Sequence, residues 1–476
     1  MMINLTRRDV LKSLLAALAV PVASHSAWAL ADNSLPHLPD HLYFLHPQDA
    51  AFAAHKQIFN RRITLVPRLI AVCLTAKGIQ TAMQYAATKG LPVSVKSGGH
   101  SFEGFSLNQD GLLLDLSLMR AITYNPSTKS MLVEPGAKLG DVYVYLAKFG
   151  RMIPAGSCGG VGVAGLTLGG GYGFFSRRLG LTCDSLTEVQ LVDGKGKLHD
   201  SKNNPELLWA CKGGNNGNFG IVTALRFNTH AAPQTFTHYR FKFRGLDTKK
   251  MLVLAERWFL SMQTLPDTCY SSWVLGPAHL TVLVTDTAPK ATAPLQAILK
   301  RLAVDATEVQ PARQDAFLRG IQRFRGGLEP MYFKNVSTGY YKSFADIKGV
   351  LATIHPLMAK SNLKTNLLQI NTLGGAIQTG VDPKTAAYPH RQYPFLGEFQ
   401  VYYDRASQTP AAETLVNQVQ HKFTQAGIKA HYCNYPDVGI KDWQHAYYAE
   451  SYPRLQALKR TLDPQNLIRH PQSVRG

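Results

Sequence analysis

Three glycine-rich segments in the first half of the 476-residue chain limit what it can fold into. They are Lys96-Ser97-Gly98-Gly99-His100-Ser101; Gly156-Ser157-Cys158-Gly159-Gly160, running on to Gly169-Gly170-Gly171-Tyr172-Gly173; and Lys212-Gly213-Gly214-Asn215-Asn216-Gly217-Asn218-Phe219-Gly220-Ile221-Val222-Thr223. Glycine lets the backbone approach a ligand closely and take up positive φ. Consecutive N–H groups in such turns form concavities that suit an anion such as a pyrophosphate. One stretch, Gly160-Val161-Gly162-Val163-Ala164-Gly165, matches G-x-G-x-x-G letter for letter, with Asp184 at a tempting distance. A Rossmann site needs a strand before that motif and a helix after it. Pro154-Ala155-Gly156 precedes it and more glycine follows, so the context argues against that site.

The chain around these segments alternates helix and strand. Thr75–Lys89 carries Ile79, Ala82, Met83 and Ala86 at helical spacing. Leu91–Val95, Leu112–Leu116, Met131–Glu134 and Glu188–Val192 read as strands, and Leu139–Phe149 as a helix. From Phe236 to about Asp404 the texture changes. Tyr239–Phe243, Leu280–Val284 and Phe399–Tyr403 read as strands of an antiparallel sheet with helices between them. The tail Trp443–Leu462 sets Trp443, Tyr447, Leu455, Leu458 and Leu462 near one helical face, a pattern of core packing.

Apolar residues make up 45% of the chain and charged residues 17%, which is globular and neither disordered nor fibrous. The formal charge of +20 could serve a nucleic acid, an anionic surface or an acidic ligand. No zinc-finger spacing or tight basic run supports nucleic acid, so the surplus reads as a basic surface. None of the six cysteines forms a C-x-x-C, so no metal site is expected. One or two disulfides are left open. At the N-terminus, Arg7-Arg8 precede an apolar run from Ser13 to Ala23 and small residues at Ala27-Trp28-Ala29 and Ala29-Leu30-Ala31. Charged start, apolar middle and A-x-A end make a signal peptide, and the paired arginines point to twin-arginine export. The run is too short to span ~30 Å of hydrocarbon as a helix. A periplasmic or secreted protein is expected, with the export machinery as a partner.

Together these segments resemble the berberine bridge enzyme-like oxidases of the vanillyl-alcohol oxidase group. The resemblance implies an α+β fold: a PCMH-type FAD-binding domain of two subdomains, and a substrate domain with an antiparallel sheet covered by helices. It divides the chain into a signal peptide at 1–31, the FAD domain at 32–228, the substrate domain at 229–429, and a segment at 430–476 returning to the FAD domain. It implies that His100 bonds the flavin 8α carbon and Cys158 bonds flavin C6. It further implies flavin contacts from Ser97, Gly98, Gly99 and Ser101; from Gly159, Gly162, Val163 and Gly165; and from Gly170, Gly171, Tyr172, Gly173 and Asp184. Gly217, Asn218, Gly220, Ile221 and Val222 complete the set, with Asn434 of Tyr432-Cys433-Asn434-Tyr435-Pro436-Asp437. Asn215-Asn216 stand where relatives usually have a run of glycines.

By the same resemblance, a substrate carbon above flavin N5 loses hydride while a base takes the hydroxyl proton. Tyr435 or Glu398 fills that role. A tyrosine titrates near ~10 and needs a nearby charge to act as a base. Gln369, Asn371, Tyr402 and Arg391 are candidate substrate contacts by position. Val161, three residues after Cys158, favours reaction with oxygen in such enzymes. The expectation is an oxidase of a carbohydrate or similar secondary alcohol, with O2 as acceptor and H2O2 as product, a monomer or weak homo-oligomer. The alternatives are an oxidative cyclase of a secondary metabolite, a dehydrogenase with another acceptor, and a non-catalytic flavin-binding protein.

Overall fold

The helix expected over Thr75–Lys89 forms over Ala76–Lys89. Thr75 is extended, and its hydroxyl accepts the Gly78 N–H as an N-cap. Gly90, at φ +64°, ends it in the left-handed conformation. Ile79, Ala82, Met83 and Ala86 make its buried stripe. The computed structural model describes Leu35, residues 38–363 and residues 365–476; the expected signal peptide lies outside these residues.

The strands β1 (Leu42–Leu45), β2 (Leu69–Cys73), β3 (Val93–Lys96) and β4 (Leu112–Asp115) form a sheet in the order β1-β2-β4-β3. The pairs β2/β4 and β4/β3 are parallel. β2 is buried throughout, as the apolar run Leu69–Cys73 requires. A second sheet contains β5 (Ile122–Asn125), β6 (Ser130–Val133), β8 (Leu186–Val192), β9 (Leu198–Asp200) and β10 (Ile221–Asn228), in the antiparallel order β5-β6-β10-β8-β9. Two short strands, β7 (Arg151–Met152) and β11 (His230–Ala231), pair separately.

The middle of the chain builds a seven-stranded antiparallel sheet. Its strands are β12 (Thr235–Arg244), β13 (Cys269–Leu275), β14 (His279–Asp286), β15 (Glu308–Ala316), β16 (Tyr332–Tyr341), β17 (Thr365–Thr372) and β18 (Phe395–Tyr403), ordered β15-β12-β14-β13-β17-β18-β16. Period-2 alternation gives the sheet two different faces. Phe241, Phe243, Val282, Trp273, Ile370 and Phe399 are buried in one core with residues of the helices Thr248–Met262, Ala293–Ala303, Lys348–Lys360 and Thr409–Gln425. Each large side chain so buried stabilises the fold by ~1.5–3 kcal/mol. The residues between them, among them Arg240, Leu283, Ser272, Gln369 and Glu398, face a cavity instead.

After Asn434 the chain packs back on the first sheets. Val93 N–H donates to Leu467 O at 2.7 Å, and Arg469 N–H donates to Val93 O at 3.2 Å. The Lys459 ammonium is fully buried and donates to Asn218 O, Asp463 Oδ2 and Ile468 O at 2.5, 2.7 and 2.6 Å. One detail differs from the sequence expectation, and one question the sequence left open is answered. The tail helix is broken: Trp443–Tyr448 and Tyr452–Leu462 are separated by a 3-10 turn at Ala449–Ser451. Ala449 sits at φ +42°, and Pro453, at the start of the second helix, has no N–H to continue the first. All six cysteines are unpaired, so no disulfide forms.

Candidate active site

A cavity of about 1190 Å³ runs between the glycine segments and the open face of the seven-stranded sheet. It exceeds the ~300–1,000 Å³ of an ordinary small-molecule pocket. Its first wall is the loop after β3. There Gly98 passes so close to Gly162 that a Cβ on either would strike the other's backbone. Gly99 takes φ +69°, which turns the next residues inward. Among the described residues, the backbone N–H groups of Gly98, Gly99, His100 and Ser101 have no hydrogen-bond partner. The Ser94 and Ser106 hydroxyls also line the cavity, are buried and are unpartnered. Four consecutive free amides and two orphaned hydroxyls are a receptor for a phosphate-bearing ligand.

His100 and Cys158 both face this space. His100 stacks on Phe59 with ring centroids 4.3 Å apart. Burial, aided by the charge of Lys138, lowers its pKa to about 4, so the imidazole is neutral and nucleophilic at neutral pH. Cys158 is exposed into the cavity, its loop tied by the Gly159 N–H donating to Arg325 O at 2.8 Å. Desolvation and then the charge of Glu398 push its thiol above the ordinary value.

Opposite lies a polar network. Tyr435 OH and Tyr172 OH share a hydrogen bond at 2.7 Å, and Asn371 Nδ2 donates to Tyr172 OH at 2.9 Å. Tyr270 OH and Gln369 Nε2 both donate to Asn371 Oδ1, at 2.5 and 2.8 Å. Glu398 is the cross-strand partner of Gln369. Burial raises its pKa to about 8, opposed by hydrogen bonds from Gln400 and Tyr435. Tyr435 itself is pushed well above 10, first by burial, then by Tyr172 and Glu398. Among the described residues none of the main groups acting on it is a cation, and Glu398 is the group poised closer to neutrality. Phe102 stacks on Tyr435 at 5.1 Å and fixes its ring.

Of the residues expected at the cofactor, Ser97, Gly98, Gly99, His100, Ser101, Cys158, Gly162, Gly165, Tyr172, Gly173, Gly217, Gly220, Ile221, Val222 and Asn434 line the cavity. Gly159, Val163, Gly170, Gly171, Asp184 and Asn218 stand behind its wall. Asn218 Nδ2 donates to Gly214 O and Tyr448 OH, and Gly171 N–H donates to Tyr432 OH. Asp184 accepts both Arg391 N–H groups, at 3.0 and 2.6 Å, so the expectation of Arg391 as a substrate contact is corrected: its charge is already paired and buried. Asn371 acts through Tyr172 and does not itself line the cavity. Sequence reading missed Gln400, Tyr270, Asn335 and His470, which do line it. Gln400 was findable, since Glu398, Gln400 and Tyr402 alternate along one face of β18. Beneath the site, the buried Lys334 ammonium pairs with Glu103 and, at 3.1 Å, with Asp437, while Arg62 bridges Glu103 and Glu413 at 2.6 and 3.0 Å.

Two family models match, one described as FAD binding domain over residues 67–202 and one as berberine and berberine like over residues 431–475. The chain belongs to the berberine bridge enzyme-like FAD-linked oxidoreductases; it is an enzyme of that class and its cofactor is FAD. It is 31% identical to a xylooligosaccharide oxidase of Thermothelomyces thermophilus, covering 87% of this chain and 88% of that one. It is 29% identical to a carbohydrate oxidase of Microdochium nivale, covering 90% and 92%. The solved structure of a chitooligosaccharide oxidase superposes with a TM-score of 0.83 at 25% identity, covering 91% of this chain and 97% of that one. The fold is the PCMH-type α+β arrangement expected. The free amides, the orphaned hydroxyls and the glycine-lined walls fit FAD.

Proposed function

We propose that this chain oxidises a secondary alcohol of a carbohydrate, with FAD held covalently by His100 and Cys158 and with O2 as acceptor. One observation carries the reading: a neutral imidazole and a thiol, from loops far apart in sequence, face one cavity whose other wall holds Glu398 and Tyr435. When bound, FAD would supply the redox chemistry, hydride acceptance from carbon and reoxidation by oxygen to H2O2. The protein supplies the rest. Glu398, ionised above about pH 8, takes the substrate hydroxyl proton. Tyr435, held by Tyr172 and Phe102, orients the hydroxyl and relays to Glu398. Gln369, Gln400 and Tyr402 offer donors and acceptors to the neighbouring hydroxyls. Val161 is half-buried on the cavity wall, and its small side chain would leave oxygen room to approach a bound flavin.

The relatives named for xylooligosaccharides and carbohydrates support the substrate class. Two measurements test the proposal. Acid-denatured protein should keep its flavin, and only the double change His100→Ala with Cys158→Ala should release all of it; complete release from the unaltered protein sinks the double attachment. Anaerobic flavin absorbance should bleach with an oligosaccharide, and a panel of sugars that leaves it unbleached removes the oxidase reading. We also propose that residues 1–31 direct twin-arginine export to the periplasm or beyond, on the strength of Arg7-Arg8 and the apolar run that follows.

A further inference from the structure

The cavity continues along the sheet well past Glu398, and the polarity of its wall changes there. Arg240 of β12 lines this far part, half-buried. Among the described residues its guanidinium makes no hydrogen bond and no ion pair, and its Nε is enclosed without a partner. Its cross-strand partner is Leu283 of β14, and the next residue along that row is Ser272 of β13. Neither carries charge. Leaving an enclosed guanidinium donor unsatisfied is costly, and natural interiors rarely do so.

The surroundings attract anions. Asp315, on the neighbouring strand β15, already accepts both N–H groups of Arg323, at 2.6 and 3.0 Å, with Arg313 and Arg319 at 3.5 Å. Three arginines share that one carboxylate, and none of its charge remains for Arg240. Lys242 and Arg244, in the same alternation along β12, are both paired with Glu308, at 3.0 and 3.9 Å. His238, two residues before Arg240, titrates below its ordinary value, first from burial and then from the charge of Arg240. A positive field therefore fills this end of the cavity.

Register gives the reach. From Arg240 the row runs through Leu283, Ser272 and Asn371 to Leu396, two residues before Glu398. Four strand steps at ~4.8 Å each put the two backbone positions ~19 Å apart. Even after both side chains reach inward, the gap is longer than one sugar ring.

We propose that Arg240 is an anion subsite that recognises a carboxylate on a sugar unit remote from the oxidised one, so that the substrate is an oligosaccharide bearing a uronic acid. The proposal rests on the reading of the site as a sugar oxidase. A guanidinium presents a planar fork of donors that matches a carboxylate bidentately, and a neutral hydroxyl leaves most of it unused.

The test compares xylobiose with aldobiouronic acid, a glucuronic acid joined to xylose, on the holoenzyme. We expect a KM about 10- to 100-fold lower for the acid, the range of one charge-assisted hydrogen-bond pair. In Arg240→Gln that ratio should collapse toward one, in Arg240→Lys it should be partly restored, and added salt should shrink it in the wild type. A wild type that does not discriminate, or a ratio that survives in Arg240→Gln, overturns the subsite. If neither sugar reduces the flavin, the oxidase reading fails separately. Titration calorimetry of both sugars against wild type and Arg240→Gln then decides the subsite alone: selective loss of acid binding keeps it, and equal binding removes it.

Discussion

Glu398 is a carboxyl group that the protein keeps protonated into mildly alkaline pH, because burial penalises its ionised form. If it is the base, flavin reduction should accelerate as pH rises through about 8, and Glu398→Gln should be slower by ~10²–10⁴-fold and flat with pH. A stopped-flow pH series checks this. Stability should move the other way. The folded state holds this proton between the ordinary glutamate pKa of ~4.3 and about 8, where the unfolded chain has lost it. The contribution is thus complete below the lower value and is lost as pH rises through the upper one. The melting temperature of the wild type should fall relative to Glu398→Gln between pH 5 and 9. Attachment chemistry should split likewise. The His100 imidazole is neutral above about pH 5, whereas the Cys158 thiol ionises late. In single variants reconstituted with FAD, the histidyl bond of Cys158→Ala should form at a pH-independent rate above pH 5. The cysteinyl bond of His100→Ala should form faster as pH rises from 6 to 9, read as acid-stable flavin. His100 and Cys158 were legible in the sequence because each lies inside its own short motif. The titration of Tyr435 was not, because it depends on burial and then on Tyr172 and Glu398, residues far away in the chain.

Elements were legible where one rule acts over a few residues. The strands of the seven-stranded sheet announce themselves by alternation, and the helix at Ala76–Lys89 by its stripe and its Thr75 cap. The tail helix misled, since an unbroken apolar face conceals a turn imposed by Ala449 and Pro453. Crossings between elements leave no local trace. Nothing in the sequence pairs Gly98 with Gly162, yet each occupies the space a Cβ of the other would need. Gly98→Ala meets backbone atoms that cannot swing aside, so the free-amide loop must shift. We expect such a variant to fold with normal circular dichroism and carry less than about a tenth of the wild-type FAD, since a displacement near 1 Å can cost 10²-fold at a site. Near-stoichiometric flavin in it refutes the role of this crossing. The Lys334–Glu103–Asp437 cluster is equally illegible, for its members come from three separate segments. Lys334→Met leaves Asp437 buried without its cation, while Glu103 keeps Arg62, and should cost about 3–5 kcal/mol in denaturant unfolding.

At the scale of the whole molecule, the motifs suggest a division into segments, whereas the interlocking of those segments leaves no trace in the sequence. The substrate sheet supplies one wall of a cavity whose other wall is glycine loops, so neither part has a complete site alone. If the segment 1–31 directs export of a finished protein, Arg7→Lys with Arg8→Lys should hold the enzyme, yellow and active, inside the cell. Cell fractionation followed by a peroxide assay checks this, and unchanged export would dismiss the paired arginines as the signal. The pairing of Leu467 and Arg469 with Val93 carries a consequence for synthesis. Val93 begins the strand that leads into the free-amide loop, and its partners leave the ribosome several hundred residues later. A nascent chain has no finished cradle for its cofactor at any earlier moment. Loading therefore waits for translation to end, and a route across the membrane that accepted only unfolded polypeptide would postpone it to the far side.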